Sequence, residues 1–152
     1  VQLARWKGAR VIGTASARNE AYLRDLGVDA FVDYAAGLPA EFVRSADLVL
    51  DTAAGGDRDW LIDALKPGGK LVPIAIGRHS ADKAAEASVE VLDVRFPPFS
   101  AAVLEELSQL VEEGRLRVTI DSEFPLEETA KAHERSESRR ARGKIVIRVL
   151  ST

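Results

Sequence analysis

The chain has 152 residues, with 21 Lys or Arg against 24 Asp or Glu, a net charge of −3. It has no cysteine, which excludes disulfides and thiolate metal sites, and its charge gives no electrostatic footprint for nucleic acid or an anionic membrane. An apolar share of 46% suffices for a buried core, and no apolar run approaches the ~20 residues of a membrane span. These features predict a soluble, cytoplasmic domain.

Val1–Gly8 reads as the last two turns of a helix, stopped by Lys7-Gly8. Val11–Ala15 follows as a buried strand. Ser16 is placed to cap a helix to Leu26, with Tyr22, Leu23 and Leu26 on one face and Gly27 as its stop. Ala30–Tyr34 is a second strand, Ala40–Arg44 a short helical stretch, and Asp47–Thr52 a third strand. Asp57 is an N-cap for a helix carrying Trp60, Leu61, Ala64 and Leu65, ended by Pro67-Gly68-Gly69. Leu71–Ala75 and Val89–Val94 are the fourth and fifth strands, and Gly77–Ser88 between them is a loop or weak helix. Strands alternating with short helices predict a doubly wound parallel α/β sheet.

Phe96-Pro97-Pro98-Phe99 breaks regular structure and predicts a boundary between residues 1–98 and 99–152. Beyond it, Ser100 opens a helix bearing Val103, Leu104, Leu107, Leu110 and Val111, ended by Gly114. An extended piece, Val118–Ile120, leads to a second helix from Leu126 to Arg139, and Lys144–Val149 closes as a strand.

The tip of the first strand carries the chemistry. Val11-Ile12-Gly13-Thr14 runs into Ala15-Ser16-Ala17-Arg18-Asn19 without an acid. In a dinucleotide-binding βαβ unit, an acid here hydrogen-bonds the ribose 2′-hydroxyl of NAD, whereas an Arg accommodates the 2′-phosphate of NADP. A hydroxyl and a guanidinium without a carboxylate suit a phosphomonoester. The plainer reading is that Ser16 caps a helix and Arg18 is solvated.

In order and spacing, V-I-G-T-A-S-A-R-N, L-G-V-D-A-F-V-D-Y, D-L-V-L-D-T-A-A-G-G, L-K-P-G-G-K-L-V-P-I-A and the tail from F-P-L-E-E-T are similar to one family. The chain resembles the carboxy-terminal portion of the medium-chain dehydrogenase/reductases of the zinc-independent quinone-oxidoreductase type, which are alcohol dehydrogenase-like. The resemblance implies an incomplete Rossmann-type doubly wound parallel sheet plus a C-terminal helix-helix-strand segment. In relatives a catalytic domain, the first strand and its glycine-rich turn come before the helix in which this chain opens. That first strand would lie between the strands at 11–15 and 47–52, so its absence would leave two unpaired strand edges. The tail from about Ser100 would pack on the catalytic domain.

The resemblance implies NADP(H) as cofactor. Thr14, Ser16, Arg18, Asn19 and Tyr34 would surround the adenosine 2′-phosphate. Asp51, Thr52, Ala53, Ala75 and Ile76 would line the nicotinamide-ribose side, with Val94 and Arg95 following. Arg139 and Lys144 would reach the cofactor phosphates, although a solvated helix end is the default for that basic cluster. Asp51 reads equally well as a strand-end acid satisfied by nearby amides. Gly55-Gly56 and Gly68-Gly69 lack the G-x-G-x-x-G spacing and read as turns. L-K-P-G-G also occurs in S-adenosylmethionine-dependent methyltransferases, but the short stretch from Asp51 to Lys66 leaves no room for their intervening strands. His79 and His133 are the only histidines, and each reads as packed and hydrogen-bonded, with His133 facing the core beside Leu126 and Ala130. Neither a catalytic residue nor a metal site is assigned.

The expected parent is an NADPH-dependent oxidoreductase that reduces a quinone, an enone or a similar activated carbonyl compound, and the chain alone is expected to be inactive. The alternative is a non-enzymatic nucleotide-binding or dimerising scaffold, with Val89–Val94 as an edge strand pairing in a homodimer.

Overall fold

The computed structural model describes residues 1–53, 55–74, 79–94 and 100–149. It divides into two units, one of Val1 and Leu3–Phe99, the other of Gln2 and Ser100–Thr152.

The first unit opens with helix α1 (Gln2–Trp6) and a parallel pair, β1 (Ile12–Ala15) with β2 (Ala30–Asp33), in register from Ile12 opposite Ala30 to Ala15 opposite Asp33. Gly13 is required there: a Cβ would lie 2.6 Å from Val28 Cγ1 and 3.2 Å from Leu23 Cδ1. Without one, the strand closes onto a small core of Val28 and Val32. Arg5 on α1 pairs with Asp29, whose Oδ2 accepts from the Val11 amide at 2.7 Å. That amide, ahead of Arg5, holds the Asp29 carboxyl below its ordinary value.

The connection from β1 to β2 differs from the expected helix. A 3-10 turn (Ala17–Asn19) precedes a shorter α2 (Glu20–Asp25). Ser16 stands before the turn, but its side chain caps no amide. Its hydroxyl oxygen accepts instead from Asn19 Nδ2 at 3.2 Å. The helical stretch near residue 40 is a single 3-10 turn (Ala40–Phe42).

A second sheet has the order β3 (Ala46–Asp51), β4 (Leu65–Pro73), β5 (Glu90–Val91), all parallel. Helices α3 (Trp60–Asp63) and α4 (Ala81–Glu86) contribute to a core of Leu61, Ile62, Leu65, Leu71, Ala84 and Val89. Ser80 caps α4, accepting from the Lys83 amide at 3.1 Å. The expected helix through Leu65 stops at Asp63, and Leu65 begins β4 instead. Nor does Asp57 cap it: Asp57 Oδ1 accepts from the Asp59 amide at 2.9 Å, and Asp59, two residues on, stands at the N-cap position. Pro67-Gly68-Gly69 falls within β4 as an irregularity, because the register steps from Ala46 opposite Leu65 to Leu48 opposite Lys70. Gly68 permits that detour with φ +79° and donates to Ser88 O at 2.7 Å.

The two sheets are separate: among the described residues no ladder joins β1 to β3. Among the described residues β3 is paired on one side only, and Leu48 and Leu50 are 58% and 55% exposed. Both open edges stand where the sequence places them.

In the second unit, α5 (Ala101–Glu112) buries Leu110, and β6 (Ile120–Pro125) pairs in parallel with β7 (Lys144–Arg148). A 3-10 turn (Leu126–Glu128) and α6 (Thr129–Glu137) connect them. His133 does not face a core. It is exposed, as are Leu126 and Ala130, and Ala132 is the residue α6 buries. The three share a fate as their spacing implies, but the spacing fixes which residues share a face and not which face is covered. Asp121 on β6 receives both Nε and Nη2 of Arg135 at 2.7 Å, and the Arg142 amide at 2.8 Å.

Candidate nucleotide site

The carboxyl end of the β1–β2 pair gathers the first set of candidates. Tyr34 N donates to Ala15 O at 3.3 Å, extending the ladder by a rung and setting Tyr34 beside Ser16. Asn19 is tied to Ser16, and Arg18 lies in the turn between them. Thr14, Arg18 and Tyr34 are exposed, and Ser16 and Asn19 partly so. The acid at the tip of the neighbouring strand, Asp33, is occupied in part, its Oδ1 accepting from the Ala35 amide at 3.0 Å. Three hydroxyls, a carboxamide and a guanidinium therefore gather at two neighbouring strand ends, a donor set that fits a phosphomonoester.

At the carboxyl end of β3, Asp51 is satisfied in part by a nearby amide and chiefly by a side chain. The residue is 3% exposed, and Oδ1 accepts from the Ala53 amide at 3.2 Å. Its principal partner is a side chain: Arg58 donates through Nε to Oδ1 at 3.0 Å and to Oδ2 at 2.9 Å. His79, with a side chain only 4% exposed, brings Nε2 to 3.3 Å from Asp51 Oδ2. That approach is not aligned as a hydrogen bond, and neither ring nitrogen has a hydrogen-bond partner. The expectation of a packed histidine holds; that of a hydrogen-bonded one does not. Sequence reasoning missed Arg58 and His79. The available signal was the Gly55-Gly56 turn, both residues at positive φ, which folds Arg58 back onto Asp51.

His79, Ser80, Gly56, Asp57 and Asp59 line a depression of about 480 Å³. Asp59 Oδ1 accepts from the Ser80 amide at 2.8 Å, joining the loops that follow β3 and β4. Thr52 is exposed next to Asp51. Ala75, Ile76 and Arg95 lie outside the described residues. Arg139 and Lys144 belong to the second unit and are exposed. Arg139 has φ +53° just past α6, and Lys144 is the first residue of β7. Among the described residues no three His, Cys, Asp or Glu side chains could hold a metal ion, and no helix is long and apolar enough to cross a membrane.

A parallel α/β framework with polar groups clustered at strand carboxyl ends defines a nucleotide-binding type of fold. Residues 26–147 match the profile of the zinc-binding dehydrogenase family, and the chain belongs to it. It is 34% identical over 149 residues to the probable zinc-binding oxidoreductase, mitochondrial, of Arthroderma benhamiae, covering 92% of this chain and 44% of that protein. It is 29% identical over 175 residues to the mitochondrial NAD(P)H oxidoreductase RTN4IP1 of Danio rerio, covering 99% of this chain and 45% of that one. Among solved structures, the quinone oxidoreductase from Coxiella burnetii superposes with a TM-score of 0.76 at 32% identity, covering 99% of this chain and 48% of that one. The chain thus spans about half the length of the proteins it matches, and is quinone-oxidoreductase-like within the medium-chain dehydrogenase/reductase superfamily.

Proposed function

We propose that the chain is the nucleotide-binding part of an NADPH-dependent oxidoreductase whose substrate is a quinone, an enone or a similar activated carbonyl compound. The observation that carries the cofactor choice is the acid-free end of β1, where Ser16, Arg18 and Asn19 stand beside Tyr34. Charge-assisted hydrogen bonds are worth roughly 1.5–3 kcal/mol each, so two to a 2′-phosphate give NADPH on the order of a hundredfold preference over NADH. The bound nicotinamide supplies the hydride. The described residues bind and orient it: the β1–β2 end holds the adenosine phosphate, and the loops after β3 and β4 stand where ligands of parallel sheets lie. No residue here is assigned as a proton donor to the substrate, and the chain alone is proposed to bind without turning over.

Calorimetric titration with 2′-phospho-ADP-ribose and with ADP-ribose tests the reading. Binding of the phosphorylated ligand alone supports it; equal binding of both, or of neither by the folded chain, removes it. Cytoplasmic placement is part of the proposal and rests on composition alone, since both named relatives are mitochondrial.

A second reading is a dimerising module. Among the described residues the two-residue β5 pairs with β4 on one side only, and Val91 is 40% exposed, an edge that a second copy could pair with. Sedimentation of the chain without nucleotide decides it: a defined dimer favours the module, a monomer removes it.

A further inference from the structure

We propose that Asp33 limits how strongly the chain prefers a 2′-phosphorylated dinucleotide, by placing a negative charge at the strand end beside the phosphate site. The inference rests on the nucleotide reading above and deepens it with a residue that acts against the phosphate.

Register brings the charge there. Asp33 stands opposite Ala15, the residue before Ser16, and Tyr34 N donates to Ala15 O at 3.3 Å. The Asp33 carboxylate turns past the end of β2, with Oδ1 accepting from the Ala35 amide at 3.0 Å. Neighbouring strands lie about 4.8 Å apart and successive residues about 3.3 Å, which puts this carboxylate on the order of 10 Å from the Ser16 hydroxyl. Unit charges act over that distance when salt is low.

The turn needs the oxygen of Asp33 and not its charge. A side-chain oxygen that accepts from the amide two residues on is a turn that asparagine makes equally well. Arg18, in the turn Ala17–Asn19, is the cation of the donor set, and Glu20, which follows that turn, is paired with Arg24 at 2.7 Å. A 2′-phosphate carries about two negative charges, so the Asp33 carboxylate opposes it. Removing one carboxylate favours an anion whatever other charges surround the site. Across about 10 Å of water-like medium the opposition costs a dianion about threefold in affinity. A ribose 2′-hydroxyl is uncharged and loses nothing by it. The carboxylate therefore holds the two dinucleotides closer in affinity than the donor set alone would set them.

Asp33→Asn removes the charge and keeps an acceptor for the Ala35 amide. Calorimetry with 2′-phospho-ADP-ribose, and its displacement by ADP-ribose, gives the ratio of the two affinities in the native chain and in the variant. In about 10 mM salt the ratio is expected to rise about threefold in Asp33→Asn. In about 1 M salt, where the screening length falls to about 3 Å, the two ratios are expected to coincide. A ratio unchanged or lowered by the substitution overturns the role of Asp33 and leaves the nucleotide reading standing. So does a rise that persists in 1 M salt, which would mark a repacked turn rather than a lost charge. If the folded native chain binds neither ligand, or both equally, the phosphate reading falls and this inference falls with it.

Discussion

Arg58 holds Asp51 through one nitrogen, Nε, which lies 3.0 and 2.9 Å from the two carboxylate oxygens. Asp51 is almost wholly buried and the Arg58 side chain is 20% exposed, so removing the guanidinium strands a charge in the interior. Breaking a buried pair from one side costs about 3–5 kcal/mol, far more than an exposed pair contributes. Arg58→Met is therefore expected to destabilise the first unit by about 3 kcal/mol in urea unfolding. Asp51→Asn in the same background should recover most of the loss. Full stability in Arg58→Met alone would show that the pair does not hold this strand end together.

Arg18 gives the prediction for the adenosine end. It stands in the turn between Ser16 and Asn19, at a strand tip without a carboxylate. Arg18→Ala is expected to weaken 2′-phospho-ADP-ribose by about tenfold or more while leaving any weak affinity for ADP-ribose as it was. A parallel loss for both ligands would mean that the residue shapes the turn rather than binding the phosphate.

What the sequence revealed and what it hid separate along physical lines. The strands were legible because β1 through β3 and the Leu71–Pro73 end of β4 are short runs rich in apolar residues between turn residues, and their parallel pairing follows from the helical stretches between them. Helix limits were not. The stretch at Trp60–Leu65 has helical spacing, yet Leu65 is drawn into β4 by its pairing with Ala46, a contact distant in sequence. His133 was assigned to the core because spacing gives the residues that share a face with Leu126 and Ala130, not whether that face is covered. The Ser16–Arg18–Tyr34 set was legible because it sits at adjacent strand ends in one βαβ unit. The Asp51–Arg58–His79 set was not, since it is assembled by two loops whose paths no periodicity encodes.

The unpaired edge of β3 has a consequence in solution. Leu48 is 58% exposed on a strand that, among the described residues, is bonded only to β4. An apolar open edge is a template for intermolecular pairing, and a charge on it is the ordinary protection. Leu48→Lys is expected to raise the concentration at which the chain self-associates, read by light scattering. Its urea midpoint should change by no more than about 0.5 kcal/mol equivalent, as for a surface substitution. Unchanged association would place the sticky surface elsewhere.

Acid should loosen the second unit through Asp121. Its carboxyl is held well below the ordinary carboxylate value, first by the two bonds from Arg135 and then by the Arg142 amide. A carboxyl depressed in the folded state contributes stability that is present above its unfolded value, about 3.9, and lost as pH falls toward the folded value. Arg135 stays charged throughout that range and adds no slope of its own. The tryptophans, Trp6 and Trp60, and both tyrosines, Tyr22 and Tyr34, lie in the first unit, so fluorescence does not report on this one. Hydrogen exchange of the β6–β7 amides does, including Lys144 N, which donates to Thr119 O at 2.8 Å. Protection there is expected to fall steeply below about pH 4 in the native chain. Asp121→Asn should be less protected at pH 7 and show a flatter acid limb, because the group that titrates is gone. Parallel pH profiles for the two proteins would mean that this pair does not control the unit's acid stability.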